Sequence, residues 1–432
     1  MKMLKEIGYN MEIKSINLKE WDTVFLKDTF ILNDNYRDIA KTLTNNSIID
    51  IKELKDGILI NTNSYVGKIG LGNIEINIKP KIEGLPLYKL LKFTYGLKDL
   101  KLLNDTTHSL DKLNFFDLII YELILETSIL FKHEIKRNYI NKEEDLSNIR
   151  GRININRIAK EAGVIKEKLP CKYFNREEDI ILNKVLLSGL YLALKLTSNN
   201  ELKISLKRNI AFIEDKVSQI RLDKKVLIKA KNSINRLNIN YKPIIELIDI
   251  LYEADTIDFN DNDKKIKLKG YIFDMNSFFE RLVGKLLEKG KEKYNYKSQY
   301  NFKNMFIYDP DFNIKMRRNP ILKPDFILEK DGKVEKLFDA KYKDLYNNPL
   351  PSSMLYQLSI YALSGLGNYE ATILYPSIEG RLKEQKININ NPITGEYIGR
   401  VNLRCIDLIY LTDILNEDEN ILKEYIKNYI IK

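Results

Sequence analysis

The chain has 432 residues, 44% of them hydrophobic and 30% charged, which excludes a wholly disordered protein and leaves room for two or three domains. Only two cysteines, Cys171 and Cys405, stand far apart, which excludes a disulfide framework or a Cys-rich zinc site and points to a reducing compartment. With His108 and His133 as the only histidines, a Ser-His-Asp hydrolase or a His-metal nuclease is excluded, and any catalysis runs on carboxylates and lysine.

Lys and Arg number 70 against 60 for Asp and Glu, a formal charge of +10. Much of the excess is local: between Lys203 and Arg236 ten basic residues face three acids. Such a window is either a solvated helix face or a surface for a polyanion such as nucleic acid or an acidic partner. Met1 to Asn10 has no apolar signal core, and the most apolar helical stretch, Phe115 to Phe131, carries Asp117, Glu122 and Glu126. The expectation is a cytoplasmic protein with no membrane association.

In chain order, residues 1–105 read as a β-rich domain. Asn73 to Lys79 alternates at period two, with Ile74, Ile76 and Ile78 on one side and Glu75, Asn77 and Lys79 on the other. Pro80 ends that strand, and Gly70 to Asn73 predicts a glycine-tipped hairpin before it. Residues 106–258 read as a helical middle domain: Phe116, Ile119, Ile120, Leu123 and Ile124 recur at helical spacing, as do Leu182, Val185, Leu186 and Gly189. A further helix is predicted over 242–254. Residues 259–432 alternate helix and strand, with a helix over 277–292, strands near 321–329 and 334–342, a helix near 352–365 and strands near 370–376 and 399–408. The fold class is therefore α+β and multidomain: β-rich, then helical, then an α/β domain.

No P-loop is present: Gly67-Lys68 is followed by Ile69 and Gly284-Lys285 by Leu286. The informative segment runs from Lys323 to Tyr342 and contains Pro324-Asp325 and Asp339-Ala340-Lys341. On a strand, Asp339 and Lys341 share one face while Phe338, Ala340 and Tyr342 share the other. A carboxylate holds Mg²⁺ through hard oxygen ligation, and a lysine two residues on offsets charge developing on a phosphoryl group. Asp325 reaches the same face if the intervening turn is the three-residue loop Lys330-Asp331-Gly332, which pairs Glu329 with Lys333 and Asp325 with Leu337. A two-residue Asp331-Gly332 loop, continued in regular register, would turn Asp325 away. Gln357 and Tyr361 share one face of the next helix. Upstream, Phe279, Leu282, Val283, Leu286 and Leu287 make a core stripe beside Glu280, which is either a further metal-site carboxylate or the partner of Ser277 in a capping box.

The order helix with Glu280, Pro324-Asp325, Asp339-x-Lys341, Gln357-x-x-x-Tyr361 resembles the PD-(D/E)xK nuclease superfamily. Ser64-Tyr-Val-Gly-Lys-Ile and Ile76-Asn-Ile-Lys-Pro-Lys-Ile resemble the N-terminal signature of the McrC family, the nuclease subunits of McrBC-type modification-dependent restriction systems. Arg150-Gly-Arg-Ile-Asn-Ile, Cys171-Lys-Tyr-Phe, Asp179 and Asn183 are similar to that family's central segment, and Phe273 to Glu280 to its entry into the nuclease domain. The resemblance covers about 60 to 376.

This resemblance implies a restriction-endonuclease-like C-terminal domain that cuts both strands of double-stranded DNA near 5-methylcytosine-type sites. It implies an McrB-like AAA+ GTPase ring as partner, engaged and stimulated through the N-terminal part. It implies Mg²⁺, or Mn²⁺ in its place, held by Asp325 and Asp339 with the Ala340 carbonyl, Lys341 as the catalytic lysine, and Glu280 and Gln357 at weaker positions. The hairpin at Gly70 to Asn73 has few aromatic or arginine residues, so no ring-acting residue is singled out there. Two rival readings remain: a non-catalytic adaptor that grips DNA and activates an AAA+ NTPase, and a standalone RecB-like repair exonuclease.

Overall fold

The isoleucine alternation of Asn73 to Lys79 builds the strand it predicts. The computed structural model describes residues 14–96, 115–133, 135–160, 167–255, 269–302, 305–313, 315–380, 382–415 and 417–432. Its first segment holds β1 (Lys14–Lys19), β2 (Thr23–Lys27), a helix Asp34–Asn45, β3 (Ile49–Leu54), β4 (Gly57–Thr62), β5 (Tyr65–Leu71), β6 (Ile74–Lys79) and a helix Gly84–Tyr95. β5 and β6 form the predicted hairpin, with Leu71 opposite Ile74 and Gly72 in the left-handed region at the turn. Ile74, Ile76 and Ile78 are buried and Lys79 is exposed. β2, β4 and β3 make a separate antiparallel sheet, against which Ile39, Ala40 and Leu43 of the first helix are buried.

The middle segment carries the expected helices, Phe115–Lys132, Ile181–Leu196, Asn200–Ile213, Lys224–Asn232 and Tyr241–Asp255, with a short one at Ile155–Lys160. Phe116, Ile119, Ile120 and Leu123 are buried along the first, and Leu182, Val185, Leu186 and Gly189 along the second. A three-stranded antiparallel sheet of β7 (Asn138–Leu146), β8 (Arg152–Ile153) and β9 (Leu169–Glu177) departs from the all-helical expectation. The reason is plain in its burial: no residue of β7 is fully buried, so its sequence carries no apolar alternation to read. His133 is exposed just after the helix Phe115–Lys132, while His108 lies outside the described residues.

The last segment begins with β10 (Lys269–Asp274), which pairs antiparallel with β5 and completes a four-stranded sheet in the order β1-β6-β5-β10. Two glycines permit this contact. A Cβ on Gly67 would lie 2.1 Å from the Tyr271 carbonyl oxygen, and one on Gly270 would lie 1.9 Å from that of Lys68. β10 runs directly into the helix Met275–Gly290. There follow β11 (Asn295–Ser298), β12 (Phe326–Lys330), β13 (Lys333–Ala340), a helix Ser352–Leu363, β14 (Glu370–Ser377), β15 (Gln385–Asn390), β16 (Tyr397–Asp407) and helices Leu408–Ile414 and Glu419–Tyr425.

β11 to β16 form one six-stranded sheet in the order β11-β12-β13-β14-β16-β15, parallel across β13, β14 and β16 and antiparallel elsewhere. One face packs Ile327, Leu337, Ile373 and Leu403 against Leu358, Tyr361 and Ala362 of the helix Ser352–Leu363. The other face turns Phe326 toward Gly284 of the helix Met275–Gly290, where a Cβ would stand 3.1 Å from that ring.

Residues 1–112 and 259–432 cluster as one compact unit, and residues 113–258 as a second. The boundaries expected at 105/106 and 258/259 fall outside the described residues. Among the described residues, no helix is long and apolar enough to cross a membrane.

Candidate active site

Pro324-Asp325 and Asp339-Ala340-Lys341 do come together, by a turn other than the one expected. Lys330 pairs with Lys333, so the loop is the two-residue Asp331-Gly332, with φ of 50° and 75°. These are the left-handed values of a type I′ hairpin. The ladder then shifts: Glu329 is opposite Val334, but Leu328 is opposite Lys336, which leaves Glu335 as the extra residue of a bulge. Beyond the bulge, Phe326 pairs with Phe338. Asp325, one residue before the strand, therefore stands level with Asp339 on the same face, rather than opposite Leu337. The three-residue loop is corrected, and the shared face survives because the bulge restores the parity that the short turn removes.

Three charged side chains converge there. Lys341 Nζ lies 2.7 Å from Asp339 Oδ2 and 3.8 Å from Asp325 Oδ2. The Ala340 amide donates to Asp325 Oδ2 at 2.8 Å, and the Lys341 amide donates to the Leu374 carbonyl at 2.9 Å, which pins the lysine to the parallel neighbour strand. Asp339 is 2% exposed. Burial, and next the Asp325 charge, push its carboxyl up to about 6, although Lys341 works in the opposite direction. Burial alone would lower the Lys341 ammonium, but Asp339 and Asp325 outweigh it and raise it above the ordinary lysine value.

Glu280 belongs to this cluster and to no capping box. The helix Met275–Gly290 is capped by Asp274, whose side chain accepts from the Asn276 amide and from the Ser277 hydroxyl. Glu280 is thus free of Ser277. Its carboxyl is raised, first by burial and then by the Asp325 charge, and it also feels Lys341. Gln357 stands one step back: its Nε2 donates to the Tyr361 hydroxyl at 2.7 Å, and that hydroxyl donates to the Lys323 carbonyl at 3.0 Å. Tyr361, 1% exposed, therefore holds the backbone two residues before Asp325.

Gln299 is the residue that the sequence reading missed. Its amide donates to the Asp325 carbonyl at 2.8 Å, and its Nε2 donates to Glu280 Oε1 at 2.8 Å. It ties the Asp325 backbone to the Glu280 carboxylate from the turn after β11. No spacing rule points to it, since it lies 26 residues from Asp325 in the chain and reaches it only through strand pairing.

Asp339 Oδ1 is buried and has no hydrogen-bond partner. A buried carboxylate oxygen in that state is costly unless a cation meets it, so the donor set fits a hard divalent ion. Asp325, Asp339 and Glu280 are the side chains available to it, with the backbone carbonyl of Ala340 beside them. Among the described residues no three His, Cys, Asp or Glu side chains are grouped so as to hold a metal ion; an ion of the Mg²⁺ type needs only one or two carboxylates, since it keeps several waters and takes substrate phosphates as ligands.

The sequence profile of the McrBC 5-methylcytosine restriction system component matches residues 60–376. The chain belongs to this McrBC family. A solved structure similar over 96% of this chain and 100% of its own is a half-complex from a tetradecameric assembly of Thermococcus gammatolerans McrB AAA+ hexamers with bound McrC, at 17% identity and a TM-score of 0.62. A structure of the Thermococcus gammatolerans McrBC complex is similar over 65% of this chain and 89% of its own, at 19% identity and a TM-score of 0.47. At such identity the first likeness is one of fold. No curated protein matches the chain.

Within this McrBC chain the central motif is structural. Asn183 is fully buried; its Nδ2 donates to the Lys136 and Glu178 carbonyls, and its Oδ1 accepts from the Tyr241 hydroxyl at 2.6 Å. Asp179 accepts from the Ser218 amide and pairs with Lys184. Arg150 stacks over the Tyr173 ring at 4.3 Å, and a Cβ at Gly151 would meet the Lys172 carbonyl at 2.4 Å. These positions lock β8 and β9 to each other and the Ile181–Leu196 helix to its neighbours.

Proposed function

We propose that this chain is the DNA-cleaving subunit of a modification-dependent restriction system, with β11 to β16 and their flanking helices as a PD-(D/E)xK nuclease domain. The observation that carries the reading is the convergence of Asp325, Asp339 and Lys341 on one sheet face, with a buried Asp339 oxygen left without a partner. The adaptor reading gives no physical reason for keeping this arrangement, because an incompletely satisfied buried carboxylate costs stability.

Asp325 and Asp339, with Glu280 and the Ala340 carbonyl, would hold Mg²⁺ or Mn²⁺. When bound, such an ion supplies Lewis-acid stabilisation of the phosphoryl oxygens and lowers the pKa of a coordinated water. Lys341 remains protonated at neutral pH, because the two carboxylates raise its pKa. In that state it would offer a positive charge and a hydrogen-bond donor to the scissile phosphate. Tyr361, Gln357 and Gln299 hold the Asp325 segment and Glu280 in place.

An AAA+ GTPase ring is the partner this reading assigns to the chain, whose sequence carries no P-loop. The related solved structure contains McrC bound to McrB AAA+ hexamers. Lys224, Lys225 and Lys229 are exposed on the helix Lys224–Asn232, and this basic window suits DNA phosphates.

The test is cleavage of methylated and unmodified duplex DNA with Mg²⁺, with and without an McrB-like AAA+ protein and GTP. Cutting that requires methylation, partner and GTP together is expected. Cutting by this chain alone, indifferent to all three, would favour the exonuclease reading. Intact DNA under every condition, with GTP hydrolysis still stimulated, would favour the adaptor.

A further inference from the structure

The carboxyl of Glu20, at the end of β1, is 0% exposed and lies far in sequence from any site residue. It accepts from the Tyr342 hydroxyl at 3.1 Å and from the Lys81 amide at 2.6 Å, while its own amide donates to the Lys79 carbonyl. Lys79 to Lys81 is the Lys-Pro-Lys that closes β6. A buried carboxyl whose Oε2 has no hydrogen-bond partner, donated by the first sheet and buried against the last, is an expensive link for a merely structural joint.

What Tyr342 touches makes the link informative. It follows Lys341 directly, is 5% exposed and packs against the Phe279 ring at 5.8 Å. Phe279 directly precedes Glu280. The inward neighbours of two site residues thus rest on each other, and the Glu20 carboxyl grips one of them. A second tie has the same direction: Ser64, at the start of β5, accepts from the Met275 amide at 3.0 Å and from the Asn276 side chain, and so holds the first turn of the helix that bears Glu280.

We propose that Glu20 is a positioning residue of the hydrolytic site: through Tyr342 it makes the alignment of Lys341 depend on the first β-sheet. The inference rests on the nuclease reading for its meaning, but not for its test. If the first sheet shifts, as under load from a partner, Tyr342 moves with it and Lys341 leaves Asp325 and Asp339. The site is then competent only while the sheet is seated. No step of the chemistry passes through Glu20 itself.

The experiment is competitive labelling of lysines in the full-length chain with acetic anhydride, read at Lys341 by mass spectrometry, in wild type, Glu20→Ala, Glu20→Gln and Tyr342→Phe. Loss of one buried hydrogen bond shifts a local equilibrium roughly five- to tenfold, so Lys341 labelling should rise about that much relative to surface lysines in Glu20→Ala and Tyr342→Phe. Glu20→Gln keeps an acceptor for Tyr342 and should stay near wild type. Unchanged Lys341 labelling in Tyr342→Phe, which removes one oxygen and leaves the packing, overturns the proposal even if Glu20→Ala fails to fold. A kcat loss without a KM change in Glu20→Ala and Tyr342→Phe is expected where cleavage is measured. Lys341 responding in a chain that never cuts DNA would sink the nuclease reading and leave the positioning role standing; normal cutting with Lys341 unmoved would do the reverse.

Discussion

The two sheets joined in one compact unit solve different problems. The β1-β6-β5-β10 sheet buries an unbroken aliphatic set, Val66, Ile69, Leu71, Ile74, Ile76 and Ile78, each no more than 3% exposed. Every one of these residues contributes to stability by leaving water, and none offers chemistry. The six-stranded sheet buries the same kind of residues along its middle, at Ile327, Leu337 and Ile373. At the end of β13, however, it buries Asp339 beside Asp325 and Lys341. Burying ionisable groups lowers stability unless they are fully paired, and Asp339 Oδ1 is not. Other buried polar groups of the two sheets, Glu20 and Asn402 among them, also keep an unpaired oxygen, but only at the end of β13 do a second carboxylate and a lysine stand beside it, which is why that place is the candidate site.

The comparison predicts opposite consequences for substitutions in the two sheets. The largest effect is expected from Asp339→Ala and Lys341→Ala, which should reduce cleavage roughly 100- to 1,000-fold or more. Partner-stimulated NTP hydrolysis should continue, and the fold should be retained by circular dichroism. If either variant cuts at the wild-type rate, the site is elsewhere. Ile76→Ala, fully buried in the first sheet, should cost about 2–5 kcal/mol in denaturant unfolding. An unchanged midpoint would show that this sheet is not a load-carrying core.

Glu20 provides a pH-dependent contrast between the sheets. Burial, set against the Lys81 amide and the Tyr342 hydroxyl, raises its carboxyl from 4.5 to about 7. A folded-state pKa raised above the unfolded value stabilises the fold fully below the unfolded value, and that contribution is lost as pH rises through the folded value. Wild type should therefore lose about 3 kcal/mol between roughly pH 4.5 and 7 from this one group. Glu20→Gln should lose none of it, and so should melt higher than wild type at pH 8 while matching it near pH 4.5. A melting difference that is the same at both pH values would contradict the burial argument. The smallest effect is expected at Gln299, where Gln299→Ala removes the bond to Glu280 but no charge. Outer residues that orient metal-site groups contribute about tenfold at the low end, so a decrease of about that size in Mn²⁺ affinity, measured by titration calorimetry, is expected. Loss as large as that of Asp339→Ala would promote Gln299 to a direct role.

How legible the site was depends on how local each relation is. Asp339 and Lys341 sharing a face follows from the two-residue period of a strand and needs nothing else. Asp325 joining them depended on the turn, and the expected three-residue loop gave the right face by the wrong register. Asp331-Gly332 forms the tight turn, and the extra residue Glu335 restores the alignment. A bulge has no pattern in Lys333-Val-Glu-Lys that distinguishes it from a regular strand. Glu280 was left between two readings, and it took the Asp274 cap to separate them. Gln299 and Glu20 were invisible, since each acts through pairing across long stretches of chain.

By itself, the sequence determined the inward faces of the elements it predicted, because alternation and helical spacing record which residues must leave water; the β7, β8 and β9 sheet lay outside that reading. The sequence also determined the chemistry available, carboxylates and one lysine in place of histidine or thiol, and the kinship that the McrBC match bears out. Only the tertiary structure decided that β10 completes the first sheet, that a bulge rather than a loop levels Asp325 with Asp339, and that Glu20 reaches Tyr342 across 322 positions of chain. The physical reason is that local periodicity is written in neighbouring residues. Strand pairing and buried polar contacts, in contrast, are settled by what the folded chain brings to each hydrogen-bonding group once water is gone.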